Sequence, residues 1–275
     1  MSKETMKYVD LHLHTTCSDG MDDPSNVVRN CAMLGLDTIA ITDHDTTEGY
    51  YEAKKEADKW GLEIITGVEI STRKYHILGY DFDIKNNKLQ ELLEYSRYCQ
   101  EELTKKRINV LRETTGMPLT IEKVRNYFPT QRLGKVNMAA AMMMDYECRE
   151  LLPKNNSDYI MKEYLGKNTI VGKTYFEKEV SVKDTIDAIH YAGGKVIIAH
   201  APKDVEDMSE IEEMVLMGLD GIEIQPRLGE RNIPFESYAL EKGLLITHGS
   251  DFHGARYIKR TLLERKYAIE QFWKK

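Results

Sequence analysis

Residues 8 to 20 read Tyr8-Val-Asp-Leu-His-Leu-His-Thr-Thr-Cys-Ser-Asp-Gly20. Val9, Leu11 and Leu13 alternate with Asp10, His12 and His14, and a period of two is that of a strand, which sends both imidazoles to one face. Two such side chains can grip one cation. Asp19 follows five residues after His14 in a Cys-Ser-Asp-Gly turn, from which a carboxylate can reach back to the strand end. An isolated His pair reads equally well as one solvated and one hydrogen-bonded imidazole. The choice turns on whether distant segments also place ligands at strand ends.

They do. Pro24 to Gly35 carries Val27, Val28, Cys31, Met33 and Leu34 at helical spacing, with Pro in the first turn and Gly as a cap. Thr38-Ile-Ala-Ile-Thr42 is a short strand whose end delivers His44. A helix from about Thr47 to Trp60 follows, and a third strand runs from Leu62 to Ile70, placing Glu69 beside its end. His76 opens the segment His76-Ile-Leu-Gly-Tyr80. After a helix over Val182 to Tyr191, the strand Lys195-Val-Ile-Ile-Ala-His200 ends on a histidine. A helix over Val205 to Met217 leads to Gly221-Ile-Glu-Ile-Gln-Pro226, and Leu244-Leu-Ile-Thr-His-Gly-Ser-Asp-Phe-His-Gly254 places Asp251 and His253 just past a last strand. Strands alternating with helices predict parallel β structure wrapped by helices, with ligands at the carboxyl ends of the strands.

The cadence breaks from residue 85 to 175, which reads as amphipathic helices, including 88–114 and 133–146. This organisation predicts a barrel domain from residues 1–84 and 176–275 and a helical insertion over 85–175 that caps the site. Glu101, Glu102, Lys105, Lys106 and Arg107 read as a solvated helix face.

Composition narrows the classes. The chain has 275 residues, 41% hydrophobic and 30% charged, with a net charge of -7. That is an ordinary globular protein with no basic footprint for long duplex nucleic acid. No apolar run reaches the roughly 20 residues that span a bilayer, and the Met-Ser-Lys-Glu start lacks a signal-peptide core, so a cytoplasmic protein with no membrane partner is expected. Cys17, Cys31, Cys99 and Cys148 are widely spaced and suggest neither disulfides nor a thiolate metal site. Met142, Met143 and Met144 read as helix packing.

The donors so collected are His12, His14, Asp19, His44, Glu69, His76, His200, Asp251 and His253. Imidazole and carboxylate without thiolate suit zinc, manganese or iron. Nine ligands exceed what one cation takes, so a cofactor of two or three divalent metals is inferred. Such sites suit in-line displacement at phosphorus.

His12-Leu-His14, Ser18-Asp-Gly20, Thr42-Asp-His44, Gly67-Val-Glu69, Ala199-His200 and Gly249-Ser-Asp-Phe-His-Gly254 resemble the motifs of the PHP (polymerase and histidinol phosphatase) family, from residue 7 to about 255. The resemblance implies a distorted (β/α)7 barrel, a trinuclear metal centre and phosphoesterase activity. The opening and closing motifs are most similar to the branch that acts on nucleotides, including nucleoside 3',5'-bisphosphates and short RNA from the 5' end. Carried over, the family pattern puts His12, His14, Glu69 and Asp251 on a first metal and Glu69, His76 and His200 on a second. Asp19, His44 and His253 take the third. The expected reaction is attack of a metal-activated hydroxide on phosphorus, with His12, His14, Glu69, His200, Asp251 and His253 as the catalytic set. A water or an active-site His would protonate the leaving group.

Related nucleotide phosphoesterases typically carry Gly-Arg-Pro-His where this chain has Gly134-Lys-Val-Asn137. Lys135 keeps the charge without the planar fork of Arg. Lys135, Asn137, Arg132 and Arg227 are the expected substrate contacts. His190 is expected to be solvated and His248 to be packed or to support the site. Asp43 and Asp45 are expected to orient His44 or cap the next helix. A histidinol-phosphate phosphatase and a non-catalytic binding module are the alternative functions, and oligomeric state is left open.

Overall fold

The computed structural model describes residues 8–129 and 132–254. Residues 1–7 and 255–275 of the expected barrel segments lie outside them. Seven strands form one curled sheet in sequence order: β1 (Val9–Leu13), β2 (Thr38–Ile41), β3 (Glu63–Ser71), β4 (His76–Tyr80), β5 (Lys195–Ile198), β6 (Gly221–Glu223) and β7 (Leu245–Thr247). The pairs β1–β2, β2–β3, β5–β6 and β6–β7 are parallel.

The expected parallel order fails at β4, which runs antiparallel to both β3 and β5. Only residues 72–75 separate β3 from β4, and a parallel crossover needs a dozen or more. A hairpin is the only connection that length allows. Its consequence is chemical: His76, the first residue of β4, pairs with Ser71, the last of β3. Reversal thus brings a strand start to the edge where its neighbours end.

The chain after β7 returns to β1. The Leu11 N–H donates to His248 O at 3.0 Å, Asp251 N–H to His12 O at 2.9 Å and His14 N–H to Phe252 O at 2.9 Å. Gly249 permits this approach. A Cβ there would lie 2.2 Å from His12 Cβ and 2.7 Å from Glu223 Oε1, closer than any side chain tolerates.

Helices α1 (Pro24–Leu34) and α2 (Glu48–Trp60) cover β1 to β3. The Asp23 side chain accepts from Asn26 N–H at the start of α1, and Gly35 ends it at φ 73°, both as the sequence signals require. Between β4 and β5 lie α3 (Asn87–Thr115), α4 (Ile121–Tyr127), α5 (Lys135–Met144), α6 (Tyr146–Leu151), α7 (Ser157–Ile160) with a π-turn at Met161–Leu165, and α8 (Val182–Tyr191). The barrel half adds α9 (Ala201–Asp204), α10 (Met208–Met217) and α11 (Ile233–Lys242). At 29 residues, α3 is about 43 Å long and joins two cores. Leu89 and Leu93 pack with Ile77, Ile186 and Ile198, whereas Ile108 and Leu111 pack with Leu119, Val124, Met138 and Leu165. Among the described residues, no helix is long and apolar enough to cross a membrane.

Candidate metal centre

Glu69, on β3, is the centre of the cluster. Its Oε1 lies 3.0 Å from His76 Nδ1 and 3.1 Å from His200 Nε2. Its Oε2 lies 3.2 Å from His12 Nε2, 3.1 Å from His14 Nε2 and 3.2 Å from His44 Nδ1. Oε2 nevertheless makes no hydrogen bond. Each carboxylate oxygen therefore faces its own set of imidazoles. Asp251 Oδ1 stands 3.7 Å from His12 Nε2 and 3.5 Å from His14 Nε2. Asp19 Oδ1 is 3.3 Å from His253 Nε2 and 3.8 Å from His14 Nδ1, and its Oδ2 is 3.8 Å from His44 Nε2.

Three groups of donor atoms each converge within 4.8 Å: His14, Asp19, His44 and His253; His12, His14 and Asp251; His44, Glu69 and His76. Eight of the nine side chains expected from sequence fall in these groups, and the ninth, His200, adjoins them through Glu69 Oε1. The grouping differs from the expected one, in which Glu69 alone serves two metals: the two nitrogens of His14 and of His44 also face different groups.

The surrounding residues fix these donors. His12 Nδ1 lies 2.7 Å from Glu223 Oε1. A carboxylate acceptor there puts the proton on Nδ1 and leaves Nε2 a bare lone pair. That lone pair faces His14 Nε2 at 3.1 Å and Glu69 Oε2. His200 Nδ1 lies 2.5 Å from Asp204 Oδ2, an ion-pair contact without hydrogen-bond geometry. His200 and Asp251 also adopt left-handed backbone, at φ 32° and 57°, which is sparsely populated outside glycine and persists where surrounding structure enforces it.

Asp43 and Asp45 act differently from the expectation. Asp43 accepts from Thr15 N–H, Thr15 Oγ1 and Ser18 Oγ, and Asp45 from Ser71 N–H, Ser71 Oγ and Ser96 Oγ. Both tie loops to the strand ends, and α2 starts at Thr47 with no side-chain cap. His248 is a packing residue, with Nδ1 2.9 Å from Ile224 O. His190 is not simply solvated: its Nε2 lies 2.7 Å from Asp220 Oδ2.

The electrostatics ask for positive charge. Burial opposes protonation of His14, yet Asp251, Glu69 and Asp19 raise its pKa to about 9. Burial likewise opposes charge on His12, but Glu223 and Glu69 hold its pKa well above the ordinary value. Glu69 stays ionised against the cost of burial because His44, His12 and His76 surround it. Buried atoms without hydrogen bonds include His14 Nδ1, Asp19 Oδ1, His44 Nδ1 and Glu69 Oε2. Unpaired buried acceptors are costly. Donors about 2.1 Å from one cation stand about 3.0 to 3.4 Å apart at octahedral to tetrahedral angles, close to the separations around Glu69. The residues fit divalent transition metals. Cys17 is in none of the three groups, and burial and Asp43 push its thiol up to about 11.

Beside this cluster lies a second, cationic group. Arg132 is buried, with Nη1 3.2 Å from Asp19 Oδ2 and Nη2 3.3 Å from Ser71 Oγ. Behind it stand Arg107 of α3, Lys135 at the start of α5 and Lys203 of α9. Burial, then Arg107, Lys203 and Arg132, push the Lys135 ammonium down to about 8. Burial, with Arg132 opposing the charge too, pushes Arg107 down to about 10, although Glu179 favours its charged form. The Nε of Arg107 is buried and without a hydrogen bond. Its expected place on a solvated helix face therefore fails in part: Arg107 is half-buried, facing Glu179 and Arg132. Asn137 spends its side-chain oxygen on Gly134 N–H at 2.9 Å, fixing the start of α5. Arg227 reaches Gln225 Oε1 at 2.7 Å and Asp251 Oδ2 at 3.2 Å.

Sequence reasoning missed Glu223, Asp204, Arg107 and Lys203. Glu223 had a signal, being a carboxylate inside the apolar Gly221-Ile-Glu-Ile224 strand, where an acid is buried only with partners. Asp204, four residues after His200, lies on a helix too short to show a period.

The PHP domain model matches residues 10–166. The chain is 31% identical to a 5'-3' exoribonuclease of Haemophilus influenzae over 90% of both chains. It is 26% identical to a 3',5'-nucleoside bisphosphate phosphatase of Chromobacterium violaceum, over 90% of this chain and 88% of that one. Among solved structures it superposes on a candidate metal-dependent phosphoesterase of Bifidobacterium adolescentis with a TM-score of 0.81, 26% identity and coverage of 94% and 92%. Glu69, His12, His14 and Asp19 all lie inside the matched span, and the donor cluster they centre on is what a phosphoryl-transfer metal site requires. The chain therefore belongs to the PHP domain family of metal-dependent phosphoesterases.

Proposed function

We propose that the protein hydrolyses phosphate esters of nucleotides that carry a second phosphate, either nucleoside 3',5'-bisphosphates or short oligoribonucleotides. The observation that carries this is the pairing of two regions joined by Arg132: the imidazole–carboxylate cluster, which would take up phosphate through the cations it holds, and the cationic group of Arg107, Lys135 and Lys203. A phosphate monoester satisfies only the first. A nucleotide with two phosphates satisfies both, and RNA offers phosphates on either side of the bond cleaved. The exoribonuclease and bisphosphate phosphatase among the relatives support the same substrate class.

In this reading His12, His14, Asp19, His44, Glu69, His76, His200, Asp251 and His253 hold two or three divalent cations, of manganese, zinc or iron. The bound cations would activate water and neutralise phosphate oxygens. Glu223 keeps His12 in the tautomer that presents Nε2 to the site, and Asp204 sets its charge against the Nδ1 edge of His200. Arg227, already beside Asp251, is placed to meet a phosphate oxygen. Arg107 and Lys135 supply charge that no protein carboxylate fully cancels, and burial strengthens it.

A panel of nucleoside monophosphates, 3',5'-bisphosphates, short RNA and histidinol phosphate, assayed with manganese, tests the proposal. Bisphosphate or RNA should exceed monophosphate in kcat/KM by about tenfold or more, the worth of one charged contact. Preference for histidinol phosphate would overturn it.

A further inference from the structure

We infer that the outer face of α3 and the segment 170–178 form a binding track for single-stranded RNA, along which a substrate longer than one nucleotide lies. The inference rests on the oligoribonucleotide reading above. Four aromatic rings lie together there. Tyr95 and Tyr98 are 6.3 Å apart between ring centroids, and Tyr98 and Phe176 are 6.4 Å apart. Lys106 Nζ lies 5.0 Å above the Phe176 ring, and the Arg73 guanidinium lies 4.6 Å above that of Tyr175. Tyr95, Tyr98 and Tyr175 are each about half exposed. Core packing does not explain them. A cleft of about 540 Å³ runs between Lys106, Asn109, Ile170, Lys173 and Tyr175.

The charge distribution singles out the same part of the chain. Residues 85–175 hold sixteen Lys and Arg against eleven Asp and Glu, a net +5, so the rest of the molecule carries -12. A basic segment on an acidic protein directs a polyanion to that segment. A run of charged side chains links this face to the proposed site. Glu179 faces both Arg73 and Arg107, Arg107 faces Arg132, and Arg132 touches Asp19. Glu177, 3.5 Å from Lys106, and Glu113 mark the acidic rim. Aromatic rings interleaved with cations suit a strand whose every base has a stacking face and whose phosphates are evenly spaced. They would not read sequence.

The test uses the metal-loaded full chain and uridine oligoribonucleotides of two and eight residues beside a nucleoside 3',5'-bisphosphate. The wild type should have a lower KM for the octamer than for the dimer. Tyr175→Ala should raise the octamer KM about tenfold, and Lys106→Glu with Lys173→Glu should flatten its salt dependence. None of these changes should alter bisphosphate turnover. Equal KM for dimer and octamer in the wild type, or an equal loss on all three substrates in the variants, would overturn the track. Should none of the substrates turn over, the substrate assignment fails separately. The track is then judged by anisotropy of a 3'-labelled octauridylate, which must bind the wild type more tightly than Tyr175→Ala.

Discussion

In the donor cluster, nine side chains arrive from the ends of six strands, whereas the cation pocket draws Arg107 from a long helix, Lys135 from the start of another and Lys203 from a single turn. The cluster is over-supplied with buried acceptors and raises the pKa of His14 to about 9. The second group crowds partly buried cations around the buried Arg132 and, with burial, lowers that of Lys135 to about 8. One region asks for metal, the other for phosphate. On the proposed function, chemistry belongs to the barrel and substrate choice to the helices set against it, with Arg132 as the joint.

The sharpest way to break that division is to remove its centre. Glu69→Ala should abolish turnover of every phosphate ester, by about a thousandfold or more, because both sets of imidazoles lose the shared carboxylate. Metal content measured on the purified variant should fall with it. Retained activity at full metal content would show that the cluster is not the reacting centre. Within the cluster, Asp19→Ala should empty mainly the position shared by His14, His44 and His253, while His12→Ala should empty the one it shares with Asp251.

Glu223→Gln comes next. The amide can still accept from His12 Nδ1 but no longer stabilises positive charge on the ring, so metal affinity should fall about 10- to 100-fold. Competition with a chelator measures it. Activity at saturating metal should largely recover, since Glu223 meets His12 Nδ1 and accepts from His200 N–H but does not enter the ligand space.

The strand-end donors were legible because a period of two and a strand-end position are local signals. His12-x-His14, Asp43-His44 and Asp251-x-His253 state their own geometry. His76 was legible as a residue but not as a place, because the reversal of β4 follows from the shortness of the 72–75 turn and not from the strand itself. The pocket was only half legible. Lys135 stood out against the Gly-Arg-Pro-His pattern of related enzymes, but Arg107 sits among Glu101, Glu102, Lys105 and Lys106 and shares their composition. Which side of a 29-residue helix meets the barrel is decided by packing of Leu89 and Leu93 against Ile77 and Ile198, and charge composition does not carry it. Asn137 has a second use that the sequence did not show: its side-chain oxygen accepts from Gly134 N–H at the start of α5, as short polar residues at helix starts often do.

The pocket has its own pair of tests. Lys135→Ala should raise KM for a 3',5'-bisphosphate about tenfold or more while leaving the 3'-monophosphate within about twofold. An equal loss on both substrates would move Lys135 out of a second-phosphate role.

The smallest expected effect is also the most diagnostic, because it follows from the direction of a shift. Burial and three neighbouring cations bring Lys135 down to about 8, so it is charged below that pH and loses its proton as pH rises through it. The free enzyme is the state that kcat/KM reports. For the bisphosphate, kcat/KM should therefore fall above pH 8, by at most tenfold per unit for one proton. Groups around the donor cluster titrate in the same range, but they act on both substrates and cancel in the ratio of bisphosphate to 3'-monophosphate. That ratio should be flat from pH 6 to 7.5 and decline by pH 9. In Lys135→Arg it should stay flat, since a guanidinium remains charged far above this range. A wild-type ratio that does not change between pH 7 and 9 would mean that Lys135 does not meet the second phosphate, and the pocket would have to rest on Arg107 and Lys203 alone.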